Sequence, residues 1–144
     1  VNPSATNNVY THNVGNFGDV YGTTKEAYIT MVINPNADIN KVLRFLEFNS
    51  IVRDGNKQID RTSTITAFRI HNQYQDTTKT AFSADRVKRR FDKWRIKLPR
   101  DQKSSSRRGR LRSTYFILTL YFDNTSNKEI ILNRLMSHYD LQIY

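Results

Sequence analysis

Apolar and polar positions alternate with a period of two along most of this chain, and that period is the signature of half-buried strands. In Lys25 to Asn34, Ala27, Ile29, Met31 and Ile33 fall on one face and Tyr28, Thr30 and Val32 on the other, and the NPNAD stretch that follows turns the chain. Asn40 to Arg53 also satisfies part of a 3.6 period through Val42, Leu43, Phe45, Leu46 and Phe48. Its β-branched and aromatic content, its lack of alanine and the Arg-Asp-Gly-Asn turn at positions 53 to 56 favour a strand. Thr62 to Gln75 reads as a third strand, broken at Asp76-Thr77-Thr78. A fourth is expected from Phe91 to Leu98, where Phe91, Trp94, Ile96 and Leu98 are apolar and Lys93, Arg95 and Lys97 cationic; Pro99 ends it, and Arg100 to Gly109 is a polar, Ser-rich loop. In Arg110 to Asn124 both parities are apolar from Tyr115 to Phe122, as in a strand buried on both faces. The last strand is expected from Glu129 to the C-terminus.

These elements predict a mainly β fold of about six strands in antiparallel sheets, sandwich-like or part of a larger β assembly, with little helix. The one helical candidate is a short turn in Ser83 to Lys93, where Ser83 is a possible cap and Asp85 complements a helix start. Residues 1–24 are rich in Asn, Gly and Thr without a sustained period, and predict an extended N-terminal arm or linker whose Tyr10, Phe17 and Tyr21 lie on a neighbouring surface. Residues 25–144 then form a single β domain, with Trp94 as its packing anchor and Arg95 and Lys97 facing outward. No internal repeat of array length is present.

Composition narrows the chemistry more than the fold. The 144 residues contain no cysteine, which excludes disulfides and thiolate chemistry. No window holds the apolar run of a membrane helix and none near the start resembles a cleavable signal, so a soluble chain is expected. The first residue, Val1, reads as that of a processed product or of an ordered part of a longer polypeptide. His12, His71 and His138 lack metal-ligand spacing, and no phosphate-loop, dinucleotide or hydrolase-elbow motif occurs. Asp54, Asp60 and Asp76 are the available carboxylates for acid–base or metal work, yet each stands beside turn residues where Asp bonds its own backbone. No enzyme activity, cofactor or metal is expected.

Charge singles out one segment. The chain carries +10, residues 1–77 hold seven charges of each sign, and Arg86 to Arg112 holds thirteen cations against two carboxylates. Interleaved with Phe91, Trp94 and Tyr115, these cations fit a basic single-stranded nucleic-acid-binding module in which rings stack on bases. They also fit a solvated strand face with a Ser-Arg loop, because aromatics that alternate with charges point to the core. Arg107, Arg108, Arg110 and Arg112 are the candidate nucleic-acid or subunit interface under either reading.

The ordered set LEFNS (46–50), RIHNQYQDT (69–77), RRFDKWRIKLPRD (89–101), GRLRSTYFILTLYFDN (109–124) and NRLMSHYDLQIY (133–144) resembles the C-terminal region of the tail muzzle, or nozzle, proteins of crAss-like bacteriophages. The resemblance covers roughly residues 15–144, and its most specific parts are W-R-[IV]-x-[IL]-P-R-D and R-[LM]-R-x-x-Y. It implies a non-enzymatic structural component of the virion tail, assembled in the bacterial cytoplasm, that forms part of the conduit for DNA ejection. Its implied partners are other copies and other segments of the tail protein, neighbouring tail and portal-ring subunits, and transiently the phage DNA. Family proteins are many times longer, which implies that this chain is the C-terminal piece of one.

Overall fold

A computed structural model describes residues 15–83, 86–103 and 109–142. Twelve strands occur among them: β1 (Asp19–Val20), β2 (Thr23–Thr24), β3 (Ala27–Ile33), β4 (Lys41–Arg53), β5 (Ile59–Asp60), β6 (Ala67–His71), β7 (Thr80–Ala81), β8 (Val87–Arg90), β9 (Lys93–Lys97), β10 (Arg112–Ser113), β11 (Phe116–Phe122) and β12 (Glu129–Leu141). No helix forms among the described residues, and every strand pair is antiparallel.

Two larger sheets face each other. In one, the 13-residue β4 pairs along its length with β12 on one side, and on the other meets β10, β9 and β5, with β8 beyond β9. The other runs β3-β11-β6-β7. Leu43, Leu46, Phe48 and Ile96 from the first meet Ile33, Phe68, Ile70, Phe116, Leu118 and Leu120 from the second in one core. Period two places Leu46, Phe48 and Ile96 inward and leaves Phe45, Glu47, Arg95 and Lys97 on the outer face.

All six expected strands form; three differences have local causes in the turns and pairings described next, and a fourth, at Phe91, belongs to the cationic hairpin. The third is confined to Ala67–His71, because turns claim both flanks: Asp60 Oδ1 accepts from the Thr62 backbone N–H at 2.8 Å, and Asn72 Oδ1 from those of Tyr74 and Gln75 at 2.8 and 2.9 Å. The Arg110–Asn124 run divides at Thr114 and Tyr115, its start pairing with β4 in one sheet and Phe116–Phe122 lying central in the other. Val87–Arg90 is a strand where a helical turn was expected. A single turn precedes it, the Ser83 carbonyl accepting from the N–H groups of Arg86 and Val87 at 2.9 and 3.0 Å, and cross-strand pairing with β9 then takes over. Asp85 lies outside the described residues.

The described part of the arm folds onto its own domain. Residues 19–24 form the β1–β2 hairpin, and the Phe17 N–H donates to Asn127 Oδ1 at 2.8 Å. Gly18 has φ +81° and lies so close to Asn124 that a Cβ would meet that side chain at 2.4 Å, so both backbone conformation and space require glycine there. Tyr10 lies outside the described residues.

Lys41, at the start of β4, is fully buried and donates from Nζ to the carbonyls of Asn36 and Ile39, both at 2.9 Å. Burial lowers its pKa. Its bonds tie the turn after β3 to the first residue of β4.

Candidate functional site

The cationic segment folds around the β8–β9 hairpin. Arg90 pairs with Lys93 and Val87 with Ile96, so Phe91 and Asp92 are the two loop residues. Phe91 is therefore not on the strand as expected: it stands at the hairpin tip with φ 57° and 92% exposure. Phe91 and Trp94 are three positions apart, an odd spacing that forbids one face of a continuous strand, and this was the available signal. Trp94 points inward opposite Phe48, half-buried against the core, with the Arg89 guanidinium 5.7 Å from its ring centroid.

Pairing across β4, β9 and β8 turns the alternating cations into one surface. Lys88 lies opposite Arg95, Arg95 opposite Glu47, and Lys97 opposite Phe45. The Lys97 N–H donates to the Arg86 carbonyl at 2.8 Å, bringing Arg86 to the end of the same face. Arg44, Arg86, Lys88, Arg95 and Lys97 enclose a cleft of about 350 Å³ floored by Phe45. A second cleft of about 230 Å³ shares Arg44 and Lys97 and adds Arg100 and Arg110. Together they form a continuous cationic strip. Arg44 lies far upstream of the basic segment, and only the β4–β9 pairing, which no local pattern encodes, brings it there.

Two carboxylates organise this strip. Asp140 of β12 pairs with Arg44. Glu47, largely buried, lies 3.6 Å from the Arg95 guanidinium and 2.8 Å from His138 Nε2. The Phe45 ring stacks on the His138 ring at 4.1 Å between centroids, and the Arg95 guanidinium lies 4.2 Å from its centroid.

Of the four loop arginines singled out from the sequence, Arg107 and Arg108 lie outside the described residues. Arg110 is exposed and lines the strip. Arg112 is exposed on β10, and its N–H donates to Gln75 Oε1 at 2.7 Å while Gln75 Nε2 donates to the Arg110 carbonyl at 3.0 Å. Asp101, buried at 4% exposure, accepts the N–H groups of Asp76 and Lys103 at 3.0 and 2.9 Å, and its own N–H donates to the Gly109 carbonyl at 3.1 Å. The base of the Ser-Arg loop is thus tied to the domain on both sides, a role for Asp101 that the sequence did not disclose.

The three candidate catalytic aspartates are occupied in turns. Asp54 accepts from the N–H groups of Asn56 and Gln58, both at 2.9 Å. Asp60 accepts from Lys128 Nζ at 2.6 Å and from the Ser63 and Thr62 hydroxyls, and these bonds, Lys128 first, hold its carboxyl well below the usual carboxylate range. Asp76 is held down by its hydrogen bond from Arg69, against the opposing effect of burial, and Asp76 in turn raises the pKa of Arg69. No group of three potential metal ligands occurs among the described residues.

The sequence profile of the crassvirus muzzle protein C-terminal domain matches residues 15–101. The chain belongs to that family. The match takes in the W-R-I-K-L-P-R-D element of β9 and its exit and ends at Asp101, so the R-L-R-x-x-Y strand lies beyond it. Comparison of the sequence with curated proteins gives no match. As a muzzle domain the chain has a structural role in the phage, and none of its described helices, there being none, spans a membrane.

Proposed function

We propose that this domain is a building block of the tail muzzle, joined edge to edge with neighbouring tail subunits in the wall through which DNA leaves the capsid. The family match over residues 15–101 carries this reading. An uncovered edge supports the manner of joining. β3 pairs with β11 alone, so among the described residues its outer backbone groups have no strand partner. Tyr28 and Val32 on its outer face are 70% and 64% exposed, and Ile29, on the core-facing side, is 50% exposed. Ile29 is open because the sandwich does not close there, and Ile65, Leu120, Ile130 and Leu132 line an apolar cleft of about 220 Å³ beside it. A strand from an adjacent subunit would satisfy the backbone of β3 and cover this cleft, which is the strand-addition mode of assembly. The same wall requires no bound cofactor or chemistry.

Immunogold labelling of intact phage with an antibody raised against this chain tests the assignment. Label confined to the tail is expected. Label on the capsid alone, or none on the particle while the chain is present in infected cells, contradicts it.

A further inference from the structure

We infer that the cationic strip across β4, β8 and β9 is a site for the phosphate backbone of duplex DNA, contacted without base recognition. This deepens the proposed function by naming the face of the domain that would meet the DNA. Among the described residues, Arg86, Lys88, Lys97, Arg100 and Arg110 have no carboxylate within 4 Å, whereas Arg44 and Arg95 are fixed by Asp140 and Glu47. Gathering like charges on one face opposes folding by self-repulsion, and an anionic partner relieves it. Successive outward residues on a strand stand about 6.5 to 7 Å apart, so Arg95 and Lys97, with Lys88 beside them, present a two-dimensional array of donors to a regularly charged surface.

The occupant follows from what the strip lacks. Protein interfaces centre on exposed apolar and aromatic anchors, and among the described residues the ring on the strip, Phe45, is enclosed between His138 and Arg95. A single strand is gripped by rings that stack on its bases, and among the described residues no free ring lies on the strip, because Trp94 points to the core and Phe91 stands at the hairpin tip. Phosphate contact alone remains, which a duplex offers at the highest charge density.

The test is fluorescence anisotropy of the whole chain with two labelled duplexes of unrelated sequence, alongside a single strand and a poly-glutamate peptide. Equal affinity for the two duplexes is expected, exceeding that for the single strand and the peptide. The variant Lys88→Gln/Lys97→Gln/Arg100→Gln should weaken duplex binding about 100-fold at 0.1 M salt and make the slope of log affinity against log salt shallower by about 2.7. The control Lys25→Gln/Lys57→Gln/Arg61→Gln removes the same charge from exposed positions off the strip and should change binding by less than about fivefold. Circular dichroism and the charge-preserving variant Lys88→Arg/Lys97→Arg/Arg100→Lys, which should bind as the parent does, separate loss of the site from loss of the fold. Equal losses in both Gln variants, preference for poly-glutamate or the single strand, or no duplex binding at low salt each overturn the inference. None of these results bears on whether the antibody labels the tail, so this site and the muzzle assignment fail independently.

Discussion

Phe91 occupies the first loop position of a two-residue hairpin with φ 57°, where glycine or asparagine is favoured and a bulky side chain is strained. Its ring is almost wholly exposed, so it regains nothing by burial. Phe91→Asn should therefore stabilise the domain by about 0.5 to 1 kcal/mol, read from the urea midpoint, and a loss of stability would show that the ring packs on the hairpin. Trp94 is the inward residue that ties this hairpin to the core, but it is only partly covered, whereas Phe48 opposite it is 1% exposed. Phe48→Ala should cost about 3 to 5 kcal/mol and Trp94→Ala less, and the reverse order would make Trp94 the principal anchor. Inward Trp94 with outward Arg95 and Lys97 was legible from alternation, because period two fixes faces once a strand is assumed. Phe91 was not, because a phenylalanine between cations reads as strand and only its odd distance from Trp94 argues otherwise.

At the scale of elements, the strands themselves were written in the apolar pattern and their partners were not. Nothing local states that Arg112 pairs in one sheet and Phe116 in the other, or that β4 serves as the common partner of β12, β10 and β9, since these pairings join residues far apart in sequence. The cationic strip shares that illegibility: the charge run was plain, its assembly with Arg44 was not. The uncovered β3 edge bears on assembly. Tyr28→Lys/Val32→Lys places charge on exposed positions, should leave monomer stability within about 0.5 kcal/mol, and should prevent incorporation of the domain into tails. Unimpaired incorporation would show that β3 is not the joining edge. The turn after β5 makes a separate prediction. The folded-state pKa of Asp60 lies below its unfolded value, so its stabilisation is full above about pH 4 to 5 and is lost as pH falls through the folded value. Asp60→Asn should lower stability at neutral pH and flatten its decline in acid, measured as the urea midpoint across that range; an unchanged acid limb would assign the decline elsewhere, Asp76 being the next group with the same sign.

For the whole molecule, two facing sheets place three distinct surfaces around one core: an apolar open edge at β3, a cationic strip on the outer face of the six-stranded sheet, and an N-terminal segment that covers the turn before β12 through Phe17 and Gly18. That arrangement suits a subunit that is joined laterally while one face meets a polyanion. The muzzle assignment and this division of surfaces converge on a reconstruction of the intact phage tail by electron cryomicroscopy at a resolution that traces strands. The expected density shows this domain in the muzzle wall with β3 extended by a strand of an adjacent subunit and the strip of Lys88, Arg95 and Lys97 turned toward the DNA path. A tail that lacks the domain, or holds it with β3 open to solvent and the strip facing away from the channel, would contradict it.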